Sequence, residues 1–291
     1  MHRLTIGGFF MINHNGTISA VTEARLDPFN RGFLYGDGLF ETIKAVNGKL
    51  LFWEDHYFRL MASMRILRMD IPMEFTPEYL EEQLKSTIDA AGLLNETARV
   101  RITVYRSGGG TYLPEERGVG FYAFAKAHSE PFYLLKDAPY EVELYKDHYI
   151  SADLISTLKT TNKIVHVTGS IYAQENGYDN CLLVNSDKNI AEALQGNLFL
   201  VKGTTIKTPP LADGCLRGII RKQLMGIIEL MDEYTLEEAS ISPFELQKAD
   251  ELFITNTIKG IQPITKYRKK QYTTNTAAAL LKKLNVKARL G

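Results

Sequence analysis

The sequence predicts two domains of mixed α and β layers, on three observations. With 291 residues, 45% hydrophobic and 23% charged, the chain has apolar material for one large or two medium cores. Segments of period 2 and amphipathic segments of period 3.6 occur in both halves, the pattern of α/β or α+β layering. Between residues 127 and 145 both periods weaken and Pro131 and Pro139 appear, as in a linker. A boundary near residue 130 gives a smaller N-terminal domain, 1–130, and a larger C-terminal one, 131–291.

Residues 9–13 and 15–18 read as a hairpin turning at Asn15-Gly16, because Asn-Gly tolerates the positive φ that a two-residue turn demands. Residues 39–46 and 49–53 about Asn47-Gly48 read as a second. Over 54–69 the residues Leu60, Met61, Met64 and Leu67 recur at helical spacing. Leu80, Leu84, Ile88 and Ala91 repeat the pattern before Gly92, which suits a left-handed C-terminal cap. Residues 99–105 alternate strictly as a half-buried strand does, and a Gly-rich loop separates them from a strand over 119–125. The second half predicts a helix over 163–176 ended by Gly177 and strands over 181–185, 190–192, 198–201 and 205–208. A helix beginning near Gly218, a strand over 251–255 and a C-terminal helix over 276–284 complete it.

Thirty-four basic residues balance thirty-four acidic ones, so no global field draws the chain to nucleic acid or anionic lipid. The stretch from Tyr267 to Tyr272, with Arg268, Lys269 and Lys270, reads as a solvated turn rather than a groove-binding surface. Cys181 and Cys215 lie far apart with no histidine cluster beside them, so neither a disulfide framework nor a metal site is expected and both thiols read as reduced. No long apolar leader and no run of about 18 apolar residues occurs. The expectation is a soluble, cytoplasmic protein with no membrane partner.

The most informative stretch begins Glu192-Ala193-Leu194-Gln195-Gly196-Asn197-Leu198-Phe199, continues with Ile206-Lys207-Thr208, and ends Leu216-Arg217-Gly218-Ile219-Ile220-Arg221. It resembles the signature of the class IV aminotransferases, the fold-type IV pyridoxal-phosphate enzymes. That signature asks for Glu, then five residues on an Asn with an aliphatic and an aromatic residue after it. An aliphatic-x-Thr and an aliphatic-x-Gly-aliphatic-x-basic segment follow. Leu194 departs from it, since the family usually has a small residue there. Lys159-Thr160-Thr161-Asn162 is similar to the family's catalytic-lysine segment, and residues 31–42 and 56–60 are similar to two further blocks.

The resemblance implies a two-domain α/β enzyme with the active site between the domains, a C-terminal domain that binds pyridoxal 5'-phosphate, and a homodimer. Pyridoxal phosphate needs one amine both to bind it covalently and to carry a proton, and the resemblance assigns this to Lys159. Lys163 competes by position but is expected to be exposed. A carboxylate must keep the pyridine nitrogen protonated, which the resemblance gives to Glu192. A phosphate dianion suits the N–H groups of a helix N-terminus, hence Ile219 and Ile220, with Arg59 and Thr257 adding donors. Leu216 would pack on the ring.

On the substrate side the resemblance points to Tyr35, Phe40 and Arg106, with Tyr105 and Tyr112 nearby. The Arg-x-His pair of D-amino-acid transaminases is missing from the loop 107–114. The expectation is transfer of an amino group between a branched-chain or hydrophobic amino acid and 2-oxoglutarate. The alternative is the lyase that makes p-aminobenzoate and pyruvate from aminodeoxychorismate.

Overall fold

The computed structural model describes residues 10–136 and 138–290. Phe9, assigned above to the first hairpin, lies outside the described residues. The chain divides into two compact units, one formed by the residues up to Pro131 together with Lys159–Asn162, the other by Phe132–Leu158 and the chain from Lys163 onward.

The first unit holds β1 (Met11–His14), β2 (Thr17–Ala20), α1 (Arg31–Leu34), β3 (Gly38–Val46), β4 (Lys49–Leu50), α2 (Trp53–Ile66), α3 (Pro77–Ala90), β5 (Thr97–Arg106) and β6 (Val119–Ala127). Its six strands form one antiparallel sheet in the order β2-β1-β6-β5-β3-β4. Asn15 and Gly16, and Asn47 and Gly48, take positive φ at the two hairpin turns, as the Asn-Gly pairs predict. The second hairpin's return strand is shorter than its sequence suggests. Phe52 turns left-handed with φ 56, and α2 starts at Trp53 with Glu54 and Asp55 in its first turn, where acidic side chains favour a helix start.

Val100, Ile102 and Val104 of β5 are fully buried, as are Leu80, Leu84 and Ile88 of α3 and Met64 of α2. Both helices pack on the sheet, so the predicted stripes become one core. Thr76 caps α3 by accepting from the Tyr79 N–H, and Pro77 occupies the first turn, where its missing N–H costs nothing.

The second unit holds β7 (Glu141–Ile150), α4 (Ile164–Glu175), β8 (Asn180–Asn185), β9 (Ile190–Ala193), β10 (Asn197–Lys202), β11 (Thr205–Thr208), α5 (Ile219–Ile228), β12 (Thr235–Glu238), α6 (Pro243–Leu246), β13 (Glu251–Asn256), β14 (Gly260–Ile264), β15 (Lys266–Tyr267), β16 (Lys270–Gln271) and α7 (Asn275–Leu290). Two five-stranded sheets, β12-β11-β10-β13-β14 and β16-β15-β7-β8-β9, share a core. Leu182 and Val184 of β8 join Leu198 and Leu200 of β10 in that core. Cys181 and Leu183 point the other way, into a second cluster with Ala173 of α4. The continuous apolar run 181–184 is thus a strand buried on both faces.

The linker expected to reach residue 145 already contains β7. Only Val142, Leu144, Tyr145 and Ile150 of that strand are buried, and its pairing is parallel to β8, so local periodicity carries little of it. The C-terminal helix continues past 284 to Leu290. Among the described residues no helix is long and apolar enough to cross a membrane, and both cysteines are free and buried.

Candidate active site

In the first unit, the segment carrying Lys159 lies alongside the start of β3. The Phe40 N–H donates to the Lys159 carbonyl at 2.9 Å and the Thr161 N–H to the Gly38 carbonyl at 2.9 Å. Asn162 Nδ2 donates to the Gly36 carbonyl at 2.9 Å, which gives the Lys-x-x-Asn spacing a structural purpose. Gly36 has φ +63, and a Cβ there would collide with the Asn162 side chain. Lys159 is half-buried, with its Nζ 4.4 Å from the Phe40 ring centroid. The Arg101 guanidinium lies 3.8 Å from the same centroid. Burial, and then neighbouring Arg99, lowers the Arg101 pKa from its ordinary value.

Arg59 is placed by α2 in a buried cluster with Glu41 and His56. Its Nε donates to Glu41 Oε1 at 2.7 Å and its Nη2 to Oε2 at 2.5 Å, while His56 Nδ1 meets Oε2 at 2.7 Å. Burial pushes the Glu41 carboxyl up, but Arg59 and His56 together outweigh it and hold it at about 2. The His56 pKa is lowered, by burial first, against the opposing pull of Glu41. His56 Nε2 is buried without a hydrogen-bond partner. With Nδ1–H given to the carboxylate, Nε2 becomes an acceptor.

Arg106 has a structural engagement. Its Nε donates to Asp37 Oδ2 at 2.9 Å, its Nη1 to the Arg68 carbonyl at 3.1 Å and its Nη2 to the Leu67 carbonyl at 2.7 Å. Arg31 shares Asp37 Oδ2 at 3.0 Å and donates to three successive carbonyls, Gly109, Gly110 and Thr111. Two of the three glycines of this loop, Gly109 and Gly110, are therefore held by a buried arginine. Tyr35 is exposed, stacked near Arg31 and 5.9 Å from the Tyr112 ring.

In the second unit, Glu192 of β9 is buried. Its Oε2 accepts the Leu216 N–H at 2.9 Å and its Oε1 lies 3.1 Å from His166 Nε2. Asn197 Nδ2 donates to the Leu216 carbonyl at 2.7 Å, so the signature's Glu and Asn grip the same residue from two sides. Gly218 precedes α5 with no side chain to cap it, leaving the first-turn donors at Ile219 and Ile220 to a ligand or solvent. Thr257 sits in the β13–β14 turn, where its carbonyl accepts the Tyr133 hydroxyl at 3.0 Å. Thr255 Oγ1, opposite Asn197 in register, is buried without a hydrogen-bond partner. An uncapped helix N-terminus, a fixed carboxylate and a waiting hydroxyl form a donor and acceptor set that fits a phosphorylated pyridine. Lys163, expected to be exposed, is half-buried at the N-cap of α4.

Sequence reasoning assigned no site role to Arg101, Glu41, His56 or His166. For Arg101 a signal existed, an arginine within a strictly alternating strand, on the face opposite Val100 and Ile102. Glu41 and His56 lie 15 residues apart on a strand and a helix, and His166 is 26 residues from Glu192. Pairings of that kind leave no periodic trace.

The amino-transferase class IV family matches over residues 38–267. Three relatives span its chemistry. A Methanocaldococcus jannaschii protein provisionally named a branched-chain-amino-acid aminotransferase is 29% identical, over 94% of this chain and 93% of its own. The D-alanine aminotransferase of Bacillus licheniformis is 29% identical over 86% of each. The aminodeoxychorismate lyase of Bacillus subtilis is 28% identical over 92% of this chain and 90% of its own. Among solved structures, the branched-chain aminotransferase of Thermoproteus uzoniensis with norvaline superposes with TM-score 0.85 at 25% identity, covering 96% of this chain and 95% of that one. The chain belongs to the class IV aminotransferases, enzymes dependent on pyridoxal phosphate, and has their fold-type IV architecture.

Proposed function

We propose that the chain transfers amino groups between hydrophobic, branched-chain-type L-amino acids and 2-oxoglutarate. The observation that carries this reading is the Phe40 ring with the Lys159 ammonium at 4.4 Å and the Arg101 guanidinium at 3.8 Å. An apolar wall beside a proton-carrying amine and a cation suits an amino acid with an apolar side chain and a carboxylate. Arg101 takes the carboxylate, because a guanidinium presents paired donors to it. Arg106 spends its donors on Asp37 and on the Leu67 and Arg68 carbonyls. Tyr35 and Phe40 form the apolar surround.

Pyridoxal phosphate, when bound, supplies an aldehyde for amine attachment and a ring that draws electrons from the substrate Cα. Lys159 attaches it and moves the proton at Cα. Glu192 holds the proton on the ring nitrogen, and Leu216 packs on the ring. Ile219 and Ile220 at the α5 N-terminus, with Arg59 and Thr257, hold the phosphate. Since Glu41 already balances the Arg59 charge, the helix N-terminus and hydrogen bonds supply most of the phosphate's stabilisation.

Borohydride reduction followed by peptide mapping should place the pyridoxyl group on Lys159; a label on Lys163 overturns that assignment. For substrate, L-leucine or L-isoleucine should convert the loaded protein to its pyridoxamine form, and 2-oxoglutarate should reverse the change. The apolar wall discriminates by only about 1–3 kcal/mol per methylene, so a broad donor range is expected. If no amino acid of either hand reacts while aminodeoxychorismate yields p-aminobenzoate and pyruvate, the transaminase reading is wrong.

A further inference from the structure

We propose that His166 is a positioning residue for Glu192, its ring N–H fixing the carboxylate in the orientation in which it meets the cofactor's ring nitrogen. This rests on the reading of Glu192 given above. The two oxygens of that carboxylate are held from two sides, Oε2 by the N–H of Leu216 in the loop before α5 at 2.9 Å and Oε1 by His166 Nε2 of α4 at 3.1 Å. A glutamate held at one oxygen can still turn about its last side-chain torsion, whose energy well is broad. The second donor removes that freedom, and each oxygen keeps a further lone pair for the ring nitrogen's proton.

The choice of donor matters. An imidazole can donate from Nε2 without carrying a charge, so it orients the carboxylate and leaves its negative charge for the pyridinium. A lysine or arginine at this position would neutralise that charge. The carboxylate is 5% exposed and the histidine 18%, so water competes weakly for the pair.

Close packing of α4 makes the contact geometrically possible. Gly169, three residues after His166, shares its helix face. A Cβ at Gly169 would lie 2.5 Å from Leu194 Cδ2 and 3.3 Å from Tyr145 Cδ1. Leu194 follows Glu192 by two residues and is the position where this sequence carries a large side chain in place of the small one its signature favours. Space lost at Leu194 is recovered at Gly169, and the helix settles close enough for His166 to reach β9.

The test uses the full chain. His166→Ala should weaken pyridoxal phosphate binding several-fold, shift the absorption of the bound cofactor and lower kcat about tenfold, the scale of one hydrogen bond to a charged group, with substrate KM little changed. His166→Gln, which retains an N–H donor, should recover most of the loss, and His166→Ala added to Glu192→Gln should cost little more. Gly169→Ala, by pushing α4 outward, should reproduce the absorption shift. If Glu192→Gln is impaired while His166→Ala matches the parent in affinity and absorption, the positioning role is overturned and the Glu192 reading stands. If Glu192→Gln itself matches the parent, both fall. Should His166→Ala fail to fold, ring-nitrogen NMR of the cofactor-free parent protein decides: a ring protonated at Nε2 supports the proposal, and one protonated only at Nδ1 overturns it.

Discussion

At the scale of single residues, Glu41, His56 and Arg59 form a buried charged cluster in which each side chain depends on the others. Removing one partner from a buried ion pair strands the other, at a typical cost of about 3–5 kcal/mol. Glu41→Ala should therefore lower the denaturant midpoint sharply. The pH dependence has a definite sign. Glu41 is held at about 2, below its ordinary 4.5, so its contribution is complete above 4.5 and is lost as pH falls toward 2. His56, lowered from 6.5, acts in the same direction, because the unfolded chain takes up its proton first as pH drops below 6.5. Denaturation midpoints measured from pH 7 to pH 3 should fall in the parent and fall less in Glu41→Gln. Equal slopes would remove the cluster as the cause.

The cysteines give a second residue-scale expectation. Burial pushes the Cys181 thiol up to about 11 and the Cys215 thiol up to about 12, so neither offers thiolate at neutral pH. A thiol reagent should label neither in the folded protein and both after denaturation. Rapid labelling of native Cys215 would contradict its burial.

At the scale of elements, legibility in the sequence follows the locality of the cause. The two Asn-Gly turns, the stripes of α2 and α3 and the alternation of β5 all arise from neighbours within a few residues, and each is present in the structure. Strand β14 carries Pro263 and is an edge strand, the place where a strand tolerates proline, yet the same proline hides it from a period-2 reading. Strand β7 depends on β8, whose paired residues begin at Asn180 opposite Val142. The same rule separates the site residues. Glu192, Asn197 and Gly218 follow a fixed spacing and stand out, whereas Arg106 is chosen for its charge and its place in the segments on the substrate side, and nothing local in the sequence shows that Asp37 and two carbonyls take its donors. The clamp formed by Arg31, Asp37 and Arg106 predicts how the 107–118 loop behaves. Asp37→Asn should leave two buried guanidinium groups underpaired and speed hydrogen exchange across that loop, with α3 unchanged. Unaltered exchange there would mean that the carbonyl contacts of Arg31 suffice.

For the whole molecule, the net charge of zero opposes neither folding nor self-association, and the distribution of apolar surface makes association the expected outcome. Phe33 and Leu34 in α1 are exposed, with Tyr35 just beyond, and Tyr112 and Leu113 are 91% and 82% exposed. These residues belong to one patch. Arg31 of α1 donates to the Thr111 carbonyl at 2.6 Å, and the Tyr35 and Tyr112 rings are 5.9 Å apart. Isolated exposed apolar side chains need no explanation, but a contiguous set beside a loop held by a buried arginine is the kind of surface that a partner covers. Such a patch on a second copy is self-complementary in a two-fold dimer, where a stable interface buries about 1,600 Å² in total. Sedimentation and light scattering should find a dimer at micromolar concentration, and Phe33→Glu combined with Tyr112→Glu should shift it toward monomer. An active monomer at those concentrations in the parent protein would exclude this assembly, and a dimer indifferent to both substitutions would move the interface to another face.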